Sequence, residues 1–91
     1  MIAQVPRLRI VVFRESRYWL AQGLEHDIGV QAEDLRDLMC RLLLTLELEA
    51  ATMARLPPAP KYFQDLWPHK AGLLVPDGAT SDVGIELGLV A

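Results

Sequence analysis

The chain has 91 residues, of which 52% are hydrophobic and 23% charged, and its formal net charge is −3. A chain of this length forms one domain with a single modest core, so we expect residues 1–91 to fold as one unit. The acidic balance argues against nucleic acid as the main partner, because phosphate binding depends on clustered Lys and Arg. The high apolar fraction suggests that some apolar surface is buried against a second chain.

Cysteine content and hydropathy favour a cytoplasmic protein. Cys40 is the single cysteine, which excludes an intramolecular disulfide and fits a reducing compartment. Its place near the apolar stripe of a predicted helix indicates a small buried side chain. The first residues lack the pattern of a signal peptide, and no apolar run approaches the length of a membrane span. We therefore expect a cytoplasmic location and no contact with a membrane.

Three short β-prone runs come first in the chain. Residues 9–13 and 18–21 are separated by turn residues 14–17 and predict a hairpin, and residues 28–31 predict a third strand. Both faces of the hairpin are apolar, whereas an antiparallel sheet with one solvated face would alternate more clearly.

The next predicted element is a long amphipathic helix. From Asp34 the apolar period changes from 2 to 3.6, and the pattern continues until the prolines after Leu56. Asp34 can accept a hydrogen bond from the first helical turn. Leu44 and Leu48 lie one turn apart outside the main apolar stripe, so we interpret them as an oligomerisation surface. The alternative is that the C-terminal segment folds back over both leucines.

The rest of the chain predicts a long connection and one more strand. Residues 56–82 form a proline-rich connection with a short helical turn at 61–67 and a turn at 76–78. Residues 83–90 alternate as a half-buried strand, whose glycines would let another group approach closely. The fold class is therefore α+β: a small antiparallel sheet in β-β-β-α-β order, with one long helix packed on one face.

This order of segments resembles the HicB-like domain, the antitoxin half of HicA–HicB toxin–antitoxin systems. Tyr18-Trp-Leu-Ala-Gln22 is similar to the second strand of the family. The next segment, Leu24-Glu-His-Asp-Ile-Gly-Val-Gln31, stands where the family has a Leu-Pro-Gly-Cys-like turn and its third strand. Asp34-Leu-Arg-Asp-Leu38 stands at the Thr-Leu-Glu-Glu-Ala helix start, and the prolines at 57, 58 and 60 match those after the helix. The resemblance covers nearly the whole chain.

The sequence also departs from the family pattern. Glu25, His26 and Asp27 replace the Pro-Gly pair of the turn, and the connection before the last strand is long. HicB proteins that repress their own operon usually carry an added DNA-binding domain, for which we expect no room here. The resemblance then implies a non-enzymatic, protein-binding module. Such a module would mask a small basic toxin-like partner and self-associate, most simply as a homodimer.

We assign the partner contacts to the acidic turn and the helix start. Glu25, Asp27, Glu33 and Asp34 are the expected charged contacts, and Trp19 is the expected apolar anchor. One alternative is a homodimeric structural protein without a toxin partner. A second is a weak single-stranded nucleic-acid binder that uses the arginines of the first hairpin with Trp19. Those arginines are Arg7, Arg9, Arg14 and Arg17.

Motifs for catalysis are missing from the sequence. His26 and its acidic neighbours would point in alternate directions along an extended turn, which does not predict a shared metal ion. There is no glycine-rich phosphate loop and no nucleophile elbow. We therefore expect no catalytic residues, no metal ligands, no cofactor and no enzymatic activity.

Overall fold

The computed structural model describes residues 8–74 and 85–90, and all structural statements below refer to these residues. They form an α+β fold, as predicted, with a mixed sheet and one long helix. The strands are β1 (Leu8–Glu15), β2 (Tyr18–Gly23), β3 (Gly29–Ala32), β4 (Gly72–Leu74) and β5 (Ile85–Leu89). The helices are α1 (Leu35–Leu48) and α2 (Lys61–Gln64), with 3₁₀ turns at Met53–Arg55 and Trp67–His69.

The five strands lie in the order β3-β2-β1-β5-β4. The predicted hairpin is confirmed, with Val12 opposite Ala21 and Glu15 opposite Tyr18. The prediction of an antiparallel sheet is wrong, because β5 joins β1 in parallel. A parallel pair needs a long crossover, which the helical segment between β3 and β4 supplies. The three-residue strand β4 was predicted as part of the connection. The predicted turn at 76–78 and residues 83–84 of the last strand lie outside the described residues.

Helix α1 begins as predicted and ends earlier than predicted. Asp34 is the N-cap, and its Oδ1 accepts a hydrogen bond from the backbone N–H of Asp37 at 2.8 Å. The helix ends at Leu48, whereas the prediction had it continue until just before Leu56. Glu47 and Glu49 place negative charge at the negative end of the helix dipole, which disfavours another turn.

Two apolar layers lie on opposite faces of the sheet. The first lies between the sheet and α1, where Leu38, Leu42 and Leu46 pack on the strands. The second lies on the other face, where residues after the helix cover Val11 and Phe13. The covering side chains are Phe63, Leu66, Trp67 and Val90. The prediction of one helix packed on one face was therefore incomplete, because the opposite face is covered as well. The second layer explains why both faces of the hairpin are apolar.

Hydrogen bonds to the turn after β2 direct the chain to the second face. The Asp27 N–H donates to the Pro57 carbonyl at 2.6 Å, and the Ala59 N–H donates to the Leu24 carbonyl at 3.0 Å. His26 Nδ1 lies 3.2 Å from the Leu56 carbonyl oxygen, so this half-buried histidine also contacts the segment after the helix. The turn therefore holds the proline segment in place.

Trp67 packs closely on the last strand, as the glycines of that strand predicted. An added Cβ at Gly88 would lie 2.8 Å from the Trp67 ring. A residue with a side chain could not take this place unless its surroundings shifted. Phe63, Leu66 and Trp67 all pack on the second apolar layer, so this segment packs on its own domain. Within the described residues, no helix combines the length and the apolar character that crossing a membrane requires.

Candidate protein-binding surfaces

Three of the four predicted acidic contacts lie at the ends of strand β3. Asp27 precedes the strand, and Glu33 and Asp34 follow it. All three side chains are exposed, and we call them the acidic rim. Asp27 also accepts a hydrogen bond from Gln22 Nε2 at 2.8 Å, which fixes its position. The rim places negative charge at both ends of an outer strand.

Glu25 does not belong to the acidic rim, because it pairs with Arg9 of β1. The Arg9 Nε donates to Glu25 Oε2 at 2.6 Å, and the Arg9 backbone N–H donates to Oε1 at 2.7 Å. Partial burial raises the pKa of Glu25, but the two hydrogen bonds from Arg9 and its positive charge outweigh burial and hold the pKa below its ordinary value. Both carboxylate oxygens therefore have partners within the fold.

Trp19 is half-buried on the face of the sheet that carries α1, where it packs against the first apolar layer. The Arg14 guanidinium lies 5.8 Å from its ring centre, and the Arg17 guanidinium lies 5.3 Å from that of Tyr18. Trp19 and Tyr18 thus each lie beside an arginine of the same hairpin. Arg7, the fourth arginine of this group, lies outside the described residues.

Leu44 and Leu48 lie on the outward face of α1. They are 56% and 73% exposed, whereas Leu42 on the inward face is fully buried. No described segment folds back over them, so that alternative is not observed in residues 8–74 and 85–90. Cys40, one turn before Leu44, is exposed rather than buried as predicted. Cys40 precedes Leu42 by two residues, and at about 100° per residue the two side chains point about 160° apart around the helix axis. Because Leu42 points inward, Cys40 points outward.

A depression with a volume of about 530 Å³ lies beside Arg9 and Glu25. Its polar groups already have partners: Arg9 pairs with Glu25, Lys61 pairs with Asp65, and Gln64 donates to the Leu24 carbonyl at 2.7 Å. A ligand site needs polar groups that converge on empty space, and these groups converge on each other. Within the described residues there is also no group of three or more side chains that could hold a metal ion.

Comparison of the chain with protein-family models, with curated proteins and with solved structures finds no significant match. The acidic rim and the exposed leucines of α1 are therefore the basis for a functional proposal.

Proposed function

We propose that this protein is a non-enzymatic, HicB-like protein-binding module that self-associates and masks a small basic partner. The observation that carries the proposal is the exposure of Leu44 and Leu48, at 56% and 73%. Two large apolar side chains one turn apart contribute little to the fold from this position. Their burial against another protein would remove apolar surface from water, which is the main favourable term in association.

A second copy of the chain is the occupant that we propose for these leucines. In an antiparallel pair of α1 helices related by a twofold axis, Leu44 of one copy lies opposite Leu48 of the other. The outward face of a helix is accessible, and both sheet faces are already covered by their own apolar layers. A homodimer through α1 therefore needs no rearrangement of the fold.

The acidic rim supports a basic partner. Asp27, Glu33 and Asp34 are exposed and lie at the two ends of one outer strand, so this edge of the sheet carries negative charge along its length. Charge complementarity of this kind speeds association with a cationic protein and disfavours acidic ones. The order of three strands, a long helix and a proline-rich connection supports the resemblance to HicB-like antitoxins, although two strands, β4 and β5, follow where one was predicted.

Protein binding is better supported than nucleic-acid binding through the first hairpin. Stacking of bases needs aromatic faces that are free, and here Arg14 and Arg17 lie over Trp19 and Tyr18. Binding of single-stranded RNA that weakens steeply with salt would favour the nucleic-acid alternative.

The test is capture of the partner from native lysate by the tagged protein, followed by mass spectrometry. We expect a small basic protein at stoichiometric amounts. The matched control carries Asp27→Asn, Glu33→Gln and Asp34→Asn, which removes three charges but leaves oxygen acceptors for Gln22 and for the helix cap. The control should lose the basic protein. Recovery of the chain alone from both samples would contradict a basic partner and leave only self-association.

A further inference from the structure

Strand β3 is the outer strand at one end of the sheet, and the hydrogen-bond pattern shows which of its backbone groups point outward. The Leu24 N–H donates to the Arg9 carbonyl, and the Gly23 N–H donates to the Ile28 carbonyl, both at 2.8 Å. Antiparallel ladders alternate, so Ile28, Val30 and Ala32 bond to β2 in the observed register. The N–H and C=O groups of the residues between them, Gly29 and Gln31, therefore point away from the sheet.

Most of these outward groups have no partner among the described residues. The Gln31 carbonyl accepts a hydrogen bond of 3.3 Å from Arg41. The Gln31 N–H and both backbone groups of Gly29 have none there, and both residues are exposed. Such an edge is a template for another strand.

The acidic rim decides which strand fits. If two copies paired antiparallel through β3, Asp27 of one copy would approach Glu33 and Asp34 of the other. Like charges placed opposite each other destabilise a strand pair. The edge is therefore protected against self-pairing and complementary to a segment that carries Lys or Arg. Beside the end of β3, a depression of about 240 Å³ is lined by the exposed Asp37 as well as by Glu33 and Asp34, so three carboxylates face the one guanidinium of Arg41 there.

We propose that the basic partner docks by adding an extended, Lys- or Arg-containing segment to the outer edge of β3. The inference rests on the proposed function and specifies how the partner is recognised. Backbone hydrogen bonds to Gly29 and Gln31 supply the part of the affinity that does not depend on the sequence of the segment. The acidic rim favours segments that carry positive charge.

The test uses two substitutions at one position. Gln31→Pro removes the outward N–H and places ring atoms where the added strand would lie, and proline is tolerated where an edge N–H faces solvent. Gln31→Ala shortens the same side chain and keeps the N–H. Far-UV circular dichroism and thermal unfolding of both variants check that the sheet is intact. The probe is a library of short random peptides displayed on phage and selected on the tagged full chain.

We expect selected peptides that alternate basic with β-prone residues. Their affinity should be unchanged by Gln31→Ala and reduced about tenfold or more by Gln31→Pro, because about one backbone hydrogen bond and the adjoining contacts are lost. In the NMR spectrum, amide exchange at Gly29 and Gln31 should slow when a selected peptide is added. Neutralising the acidic rim should also weaken binding and reduce its dependence on salt.

Three results would overturn the proposal: no enrichment, selected peptides without basic residues, or equal binding to both Gln31 variants. Peptides that bind Gln31→Pro as well as the native chain would move the site elsewhere without removing the protein-binding function. That function fails separately, if the lysate experiment captures no basic protein.

Discussion

Replacing the exposed leucines of α1 by lysine should separate association from folding. The double variant Leu44→Lys and Leu48→Lys changes side chains that are 56% and 73% exposed in the single chain. Complete burial of a leucine contributes about 2 kcal/mol. If dimerisation buries the exposed fractions completely, Leu44 contributes about 1.1 kcal/mol and Leu48 about 1.5 kcal/mol to the free energy of association. The four leucines of two copies then contribute about 5 kcal/mol.

A loss of this size is an increase of roughly three to four orders of magnitude in the dimer dissociation constant. In the single chain, Leu44 is 44% buried and Leu48 is 27% buried, the complements of their exposed fractions. Losing this burial should lower the free energy of unfolding of the monomer by at most about 1.4 kcal/mol. Part of this is recovered because the methylene groups of lysine can cover the same surface. Association should therefore fail while the fold persists.

Sedimentation over a wide range of concentrations measures the first quantity, and urea unfolding measures the second. The matched control, Leu44→Met with Leu48→Met, keeps the apolar surface and should keep the dimer, because such exchanges are tolerated. Two results would refute the reasoning: a native chain that is monomeric at every concentration, or a lysine variant that dimerises as well as the native chain.

Three further predictions concern the fold around the binding surfaces. Gly88→Ala places a Cβ 2.8 Å from the Trp67 ring and should lower the free energy of unfolding by about 1–3 kcal/mol; an unchanged urea midpoint would contradict this packing. Asp34→Ala removes the cap of α1 and should cost about 1 kcal/mol by the same assay, whereas Asp34→Asn should cost little. Glu25→Gln should flatten the fall of stability at acid pH, measured by urea unfolding at several pH values. The pKa of Glu25 is lowered in the folded state, so its carboxylate stabilises the protein above its unfolded pKa, and this contribution is lost as pH falls through the folded pKa.

Local features of the fold were predictable from the sequence because their causes are local. The hairpin between β1 and β2, the cap at Asp34 and the start of α1 each depend on a few neighbouring residues. The end of α1 was predicted just before Leu56, seven residues after its observed end at Leu48, because the apolar stripe continues to Met53. Met53 does pack against the first apolar layer, but from a separate 3₁₀ turn.

Long-range pairing was not predictable from one sequence. The parallel contact between β1 and β5 joins segments from the two ends of the chain, and no turn motif specifies its direction. One signal for the second apolar layer was present: the hairpin is apolar on both faces. Phe63, Leu66 and Trp67 recur at helical spacing after the prolines and cover the face that α1 leaves open.

The candidate site shows the same division between local and long-range causes. Glu25 and Asp27 are two residues apart and looked equivalent in the sequence. The register of β1 and β2 brings the Leu24 N–H to the Arg9 carbonyl, so the next residue, Glu25, lies beside the Arg9 side chain and pairs with it. Asp27 lies beyond the strand and stays exposed. The register of β1 and β2 therefore decides that Glu25 forms an ion pair within the fold while Asp27 remains a surface charge.

The two proposed binding surfaces can be occupied at the same time. The leucines of α1 point away from the sheet, whereas the free backbone groups of β3 lie in the plane of the sheet. Arg41 is shared, since it belongs to α1 and donates to the Gln31 carbonyl, and an added strand can still bond to Gly29 and to the Gln31 N–H. A dimer through α1 would therefore present two open edges, and it should bind two copies of the basic partner. A dimer that binds a single copy would mean that one surface covers the other.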